Sequence, residues 1–134
     1  MNIEISEGFL ISPNLHDARV NGLVIRNDDD IEVIINTPEG ASINLFMRRV
    51  YRLVANNFRE GNIVLDIEVL ASKEITHSDL TVFYSSSDNA AEQGIRSLHS
   101  KAVSENKLFV KLNASYGCEF ACICERIDIR QDDM

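Results

Sequence analysis

Along most of this chain apolar residues return at every second position, a period that suits extended backbone rather than helix. Ile31, Val33 and Ile35 alternate with Glu32, Ile34 and Asn36, and Ile43, Leu45 and Met47 alternate with Asn44, Phe46 and Arg48. The cleanest case sets Ile63, Leu65, Ile67 and Val69 against Val64, Asp66, Glu68 and Leu70. The same reading gives a short strand at Ile3 and Ile5, one over Arg19–Arg26, one through Tyr51, Leu53 and Ala55, and one at Leu80, Val82 and Tyr84. Two more follow, one at Leu108, Val110 and Leu112 and a last one over residues 116–129 with a bulge near the cysteines. Ser12-Pro13-Asn14, Asn27-Asp28-Asp29-Asp30, Thr37-Pro38-Glu39-Gly40 and Arg59-Glu60-Gly61-Asn62 carry turn chemistry between them. Phe46, Val50, Leu53 and Val54 also share helical spacing, but the flanking β-branched and aromatic residues favour two strands with a kink at 48–50.

One segment reads as a helix, over residues 89–105. Asn89 and Glu92 resemble a capping box, and Ala91, Ile95, Leu98 and Ala102 fall on one face. Gly94 weakens it by roughly 1 kcal/mol, and Asn106 is a C-terminal stop. Ser85-Ser86-Ser87 before it reads as a polar connection, and residues 130–134 are expected to fray. The expected fold is mostly β (α+β), one domain over 1–134. It is an antiparallel sandwich or partly open barrel of about eight strands, with one short helix near 89–105.

With 134 residues, the chain can bury about two-thirds of its unfolded surface, so it needs no metal or disulfide to fold. Its net charge of −8 disfavours nucleic acid and favours encounter with basic partners. No basic-then-apolar leader opens the sequence, and no apolar run approaches the roughly 20 residues that span a bilayer. Cys122 and Cys124 on one strand would stand about 6.6 Å apart with parallel side chains. That geometry resists a disulfide, so the reading is free thiols and a cytoplasmic location.

The chemistry-bearing residues converge weakly. Cys118, Cys122 and Cys124 are spaced C-x₃-C-x-C, which matches no usual zinc pattern, and with Phe120 they form a core-like stripe. No metal or cofactor is expected. Cys118, near the Ser115-Tyr116-Gly117 turn, is a pocket candidate as a thiol nucleophile. His16 and Asp17 are another, as an acid–base pair, although neighbours on extended chain point to opposite faces. Asp66 and Glu68 share a strand face at a separation glycosidases use, but tryptophan is absent and aromatics make up only 7%, so no sugar platform accompanies them. Arg48, Arg49, Arg52 and Arg59 are the one basic concentration. Arg49 and Arg52 join the pocket candidates, with offsetting of cross-strand acids as the plainer use.

Leu15-His16-Asp17 with its following strand to Ile25, then Asn57-Phe58-Arg59-Glu60-Gly61-Asn62-Ile63, then Ser115-Tyr116-Gly117 and the closing Ile127-Asp128-Ile129 form a pattern of short elements. In it the chain resembles small bacterial β-rich proteins, some of them similar to immunity proteins of toxin systems. The resemblance implies a cytoplasmic protein that occludes a toxin, and it transfers no catalytic residue. The functional expectation is therefore a non-enzymatic protein-binding domain for a basic partner such as a toxin, with Asp28, Asp29, Asp30 and Glu32 as contacts. The alternatives are a homo-oligomeric module self-paired at a strand edge, and a small enzyme or ligand-binding barrel with His16, Asp17 or Cys118 at its mouth.

Overall fold

A computed structural model describes residues 2–85 and 88–132; Met1, two serines of the 85–87 run and the last two positions of the expected fray lie outside it. The alternating segments are extended, in ten antiparallel strands: β1 (Glu4–Ser6), β2 (Phe9–Ser12), β3 (Arg19–Arg26), β4 (Asp30–Asn36), β5 (Ser42–Arg48), β6 (Arg52–Asn56), β7 (Asn62–Leu70), β8 (Leu108–Tyr116), β9 (Glu119–Cys124) and β10 (Arg126–Asp132). One helix, α1 (Asn89–Ser104), lies between β7 and β8.

The strands follow the order β10-β5-β4-β3-β7-β8-β9-β6, with the β1–β2 hairpin attached to β7. Only Arg19↔Ile63 and Val20↔Asn62 join β3 to β7, so the sheet divides there into two halves. Val33, Ile35 and Leu45 from one half meet Val64, Val110, Leu112, Phe120 and Cys122 from the other in a shared interior. The end strands β10 and β6 do not pair with each other, so the sheet stays open, as the partly open alternative required.

Both ends nevertheless belong to one bent ribbon. β5 pairs with β10 and β6 with β9, and the kink between them places Arg49 at φ 54. The register slips by one residue there, from Arg48↔Arg126 to Arg52↔Ile123, which is a bulge that turns the ribbon from one half-sheet to the other. This is the kink expected at 48–50. The single last strand expected over 116–129 is instead the end of β8, then β9, then β10, because Cys118 and Glu125 interrupt the pairing. Residues 130–132 continue β10 and do not fray.

Two local expectations give way to side-chain chemistry. Leu80 and Val82 fall in a 3-10 turn (Asp79–Phe83) and Tyr84 is the extended residue that ends it, so no strand forms there. Thr76 and Asp79 bond each other's backbone amides at 2.8 and 3.2 Å, offering the chain a local alternative to a ladder. The helix cap is Asp88, whose Oδ1 accepts the Ala91 amide at 2.9 Å, and not Asn89. β2 was not expected. Glu7 and Gly8, both at positive φ, form the two-residue turn that folds it onto β1.

α1 ends as expected at Asn106, at φ 54, with Asn106 N–H on Val103 O and Lys107 N–H on Ala102 O. Its apolar face, Leu98 and Ala102 with Ile95 half-buried, lies on the outer side of β8 and β9. A second core forms there from Phe109, Ala121, Ile123, Ile75 and Leu80. Gly94 has a purpose the sequence did not reveal: the Tyr84 ring packs against it where a Cβ would stand, 2.6 Å from the hydroxyl.

The strictest alternation is the one the fold breaks. β7 shifts register on both sides of Val64, pairing Val64 with Ala114 and Asp66 with Asn113. Val64 is thereby buried and Leu65 is left 44% exposed, the reverse of the period-two expectation.

Candidate functional site

That bulge opens a groove. β2 meets β7 at Phe9↔Glu68 and β3 meets it at Ile63, so the stretch of β7 between them lies under neither strand. The gap is a cleft of about 410 Å³ floored by Leu15, Val64 and Ile67 and lipped by Phe9, Ile11 and Leu65. Its polar lining is Asn14, His16 and Asp66, and no lysine or arginine belongs to it among the described residues.

His16 sits at one end. Its Nδ1 donates to Leu65 O at 2.9 Å, which fixes the ring against the bulge and leaves Nε2 outward, 3.5 Å from Asp17 Oδ1. The expectation that His16 and Asp17 point apart is corrected here. Asp17 stands at φ 65 while its amide bonds Val64 O, so it has left the strand conformation that would separate them. Both side chains are more than half exposed, so the contact is a solvated one of little energetic weight. At the other end Asn113 Nδ2 donates to Asp66 Oδ1 at 2.7 Å and Glu68 Oε2 at 2.9 Å. The two carboxylates are thus tied by one amide, and neither is held aside as an acid opposite a base.

The remaining pocket candidates do not join this groove. Cys118 is buried, not at a mouth, and its amide donates to Asn62 Oδ1 at 2.9 Å. Burial and then the neighbouring Glu119 push its thiol up, the wrong direction for a nucleophile. Cys122 and Cys124 are buried in the main core without a bridge, and the Cys124 sulfur and burial raise the Cys122 thiol well above its ordinary value. Arg49 pairs with Glu125 at 3.3 Å, and Arg52 donates to the Tyr84 hydroxyl at 3.2 Å. Among the described residues no group of three or more His, Cys, Asp or Glu side chains is placed to hold a metal ion. No described helix is long and apolar enough to cross a membrane.

The acidic turn splits in two. Asp28 and Asp29 are exposed, as a contact surface requires. Glu32 is only 7% exposed, between Arg26 Nε at 2.9 Å and Asn44 Nδ2 at 2.7 Å, so it is no surface acid. Asp30 is spent on the ribbon: Oδ1 accepts the Arg49 amide at 3.0 Å and Oδ2 accepts Arg48, whose Nε reaches Asp128 at 2.9 Å. The offsetting of cross-strand acids is as expected for Arg48, but in this clamp its acids are Asp30 and Asp128 rather than Glu60 or Asp66, because the pairing of β5 with β4 and β10 decides which carboxylates lie opposite.

The clamp has a pH consequence. The Arg49 amide, then Arg48, hold Asp30 below its ordinary value of 3.8; Arg48 and then Arg126 do the same for Asp128. A carboxyl lowered in the folded state stabilises above its unfolded pKa and loses that as pH falls through the folded value. Unfolding free energy is therefore expected to drop below about pH 4. Arg48→Met should cost about 2 kcal/mol at neutral pH and make the acid limb shallower, read by urea titration at several pH values. An unchanged acid limb would contradict the clamp.

No protein-family model, curated protein or solved structure matches this chain.

Proposed function

We propose that the protein is a non-enzymatic protein-binding domain whose β2–β7 groove receives an extended, basic and apolar segment of its partner. One observation carries the reading: exposed apolar lips at Phe9, Ile11 and Leu65 share the groove with Asp66, Glu68 stands opposite Phe9 and Asp17 beside His16, and no lysine or arginine lines it among the described residues. Exposed large apolar side chains grouped around a concavity mark interaction sites more often than chance exposure does. The carboxylates select the sign of the partner, and the net charge of −8 reinforces it at long range. Occlusion of a basic toxin in the cytoplasm, as an immunity protein would perform it, is one form of this activity. The exposed Asp28 and Asp29 are then a second contact.

The test is an NMR titration of the isotope-labelled protein with a soluble peptide of alternating lysine and leucine, and with its glutamate–leucine counterpart. The lysine peptide is expected to shift the amides of Phe9, Ile11, His16 and Leu65. Leu65→Ser should weaken that binding by about tenfold, near the worth of one buried leucine. The glutamate peptide should leave the same amides unmoved. Shifts elsewhere, or equal shifts with both peptides, would refute the groove.

A further inference from the structure

β10 is an edge strand. It pairs with β5 on one side, and no described strand pairs with its other side. Ile127 and Ile129, opposite Met47 and Leu45, turn inward and pack against the main core. Arg126, Asp128, Arg130 and Asp132 therefore share the outer face, where Asp128 meets Arg48 and the Arg130 guanidinium lies 5.3 Å from the Phe46 ring centroid. Edge strands are commonly guarded by charged side chains, lysine above all, and by proline or bulges. This edge holds no lysine or proline, and its four outer charges are of alternating sign and cancel.

We propose that β10 pairs antiparallel with β10 of a second copy of this chain, about a two-fold axis through Ile129. In that register Arg126 faces the partner copy's Asp132 and Asp128 faces its Arg130. Symmetry repeats both pairs, so every outer charge meets its opposite. Ile129 meets Ile129 on the inner face and extends the half-buried end of the core. Axes on outer residues fail on charge, and the others fail on overlap or on side-chain facing. An axis at Asp128 opposes Arg126 to Arg130 and Asp128 to itself; an axis at Arg130 opposes Asp128 to Asp132 and Arg130 to itself. An axis at Ile127 leaves Arg130 and Asp132 beyond the start of the facing strand. An axis midway between two residues would put outer side chains opposite inner ones. Charge thus rejects every axis on an outer residue, and of the axes on inner residues the one at Ile129 alone sets all four outer charges of β10 against opposites, an axis at Gln131 pairing only Arg130 with Asp132.

Sedimentation velocity over about 1 μM to 1 mM tests this, with far-UV circular dichroism as the folding control. The chain is expected to dimerise reversibly in that range. Asp132→Arg changes an exposed strand end and creates two Arg–Arg oppositions, so it should weaken the dimer by at least about tenfold. Adding Arg126→Asp inverts both pairs and should restore the dissociation constant to within about threefold. A monomer at every concentration, a dimer indifferent to Asp132→Arg, or a double variant that stays weak would overturn the proposal.

Discussion

Replacing Asn62 with alanine is expected to lower the free energy of unfolding by about 3–5 kcal/mol, a large fraction of what holds a domain of this size together. Asn62 is 2% exposed and uses its whole carboxamide. Oδ1 accepts the amides of Arg59 at 2.8 Å and Cys118 at 2.9 Å; Nδ2 donates to Arg59 O at 2.8 Å and Val20 O at 3.2 Å. Truncation strands two backbone donors and two carbonyls, and of these the Cys118 amide and the Val20 carbonyl are buried away from water. The site is also the hinge of the fold, since Val20↔Asn62 is one of the two ladder pairs between β3 and β7. Gly117, at φ 82, completes it: a Cβ there would collide with the Asn62 carboxamide. Urea unfolding followed by circular dichroism reads the loss, and a change under about 1 kcal/mol would mean that the hinge is held by packing alone.

Phe109→Ala is expected to cost about 3–5 kcal/mol and to act on the helix more than on the sheet. Phe109 is 1% exposed, on the outer side of β8, with Leu98, Ala102 and Leu80 over it and the Phe83 ring edge-on at 6.1 Å. It is the largest fully buried side chain in that second core. Removing it leaves α1 seated on Ala121 and Ile123, a flatter surface. Hydrogen exchange should show α1 amides losing protection first, whereas Leu45→Ala in the main core should weaken both half-sheets together. Equal loss of protection across the chain after Phe109→Ala would show that the two cores unfold as one.

Period two was enough to place most of the strands, because a side-chain stripe facing one interior is a local property that each segment displays in its own spacing. The helix was legible for the same reason: Ile95, Leu98 and Ala102 do pack on the second core, and Ala91 is buried with them on the helix. What misled was competition decided between distant segments. Glu32 looks like a surface acid until Arg26 and Asn44 close over it. Cys118 looks like an exposed turn residue until Asn62 draws its amide inward.

The groove is the sharpest example. Ile63, Leu65, Ile67 and Val69 form an unbroken stripe in sequence, and nothing local distinguishes Leu65 from its neighbours. Only when Ala18 O and the Asp17 amide pair with Val64 while Ala114 faces it from β8 does the register slip and turn Leu65 outward. The sequence by itself determined extended chain, its turns, one amphipathic helix and an acidic surface, because those follow from spacing and composition. Tertiary structure alone decided which face Leu65 takes, which acids are spent on arginines and where a groove opens. Each of these depends on backbone partners brought together by the folding of the sheet, and such pairings leave no trace in the order of side chains.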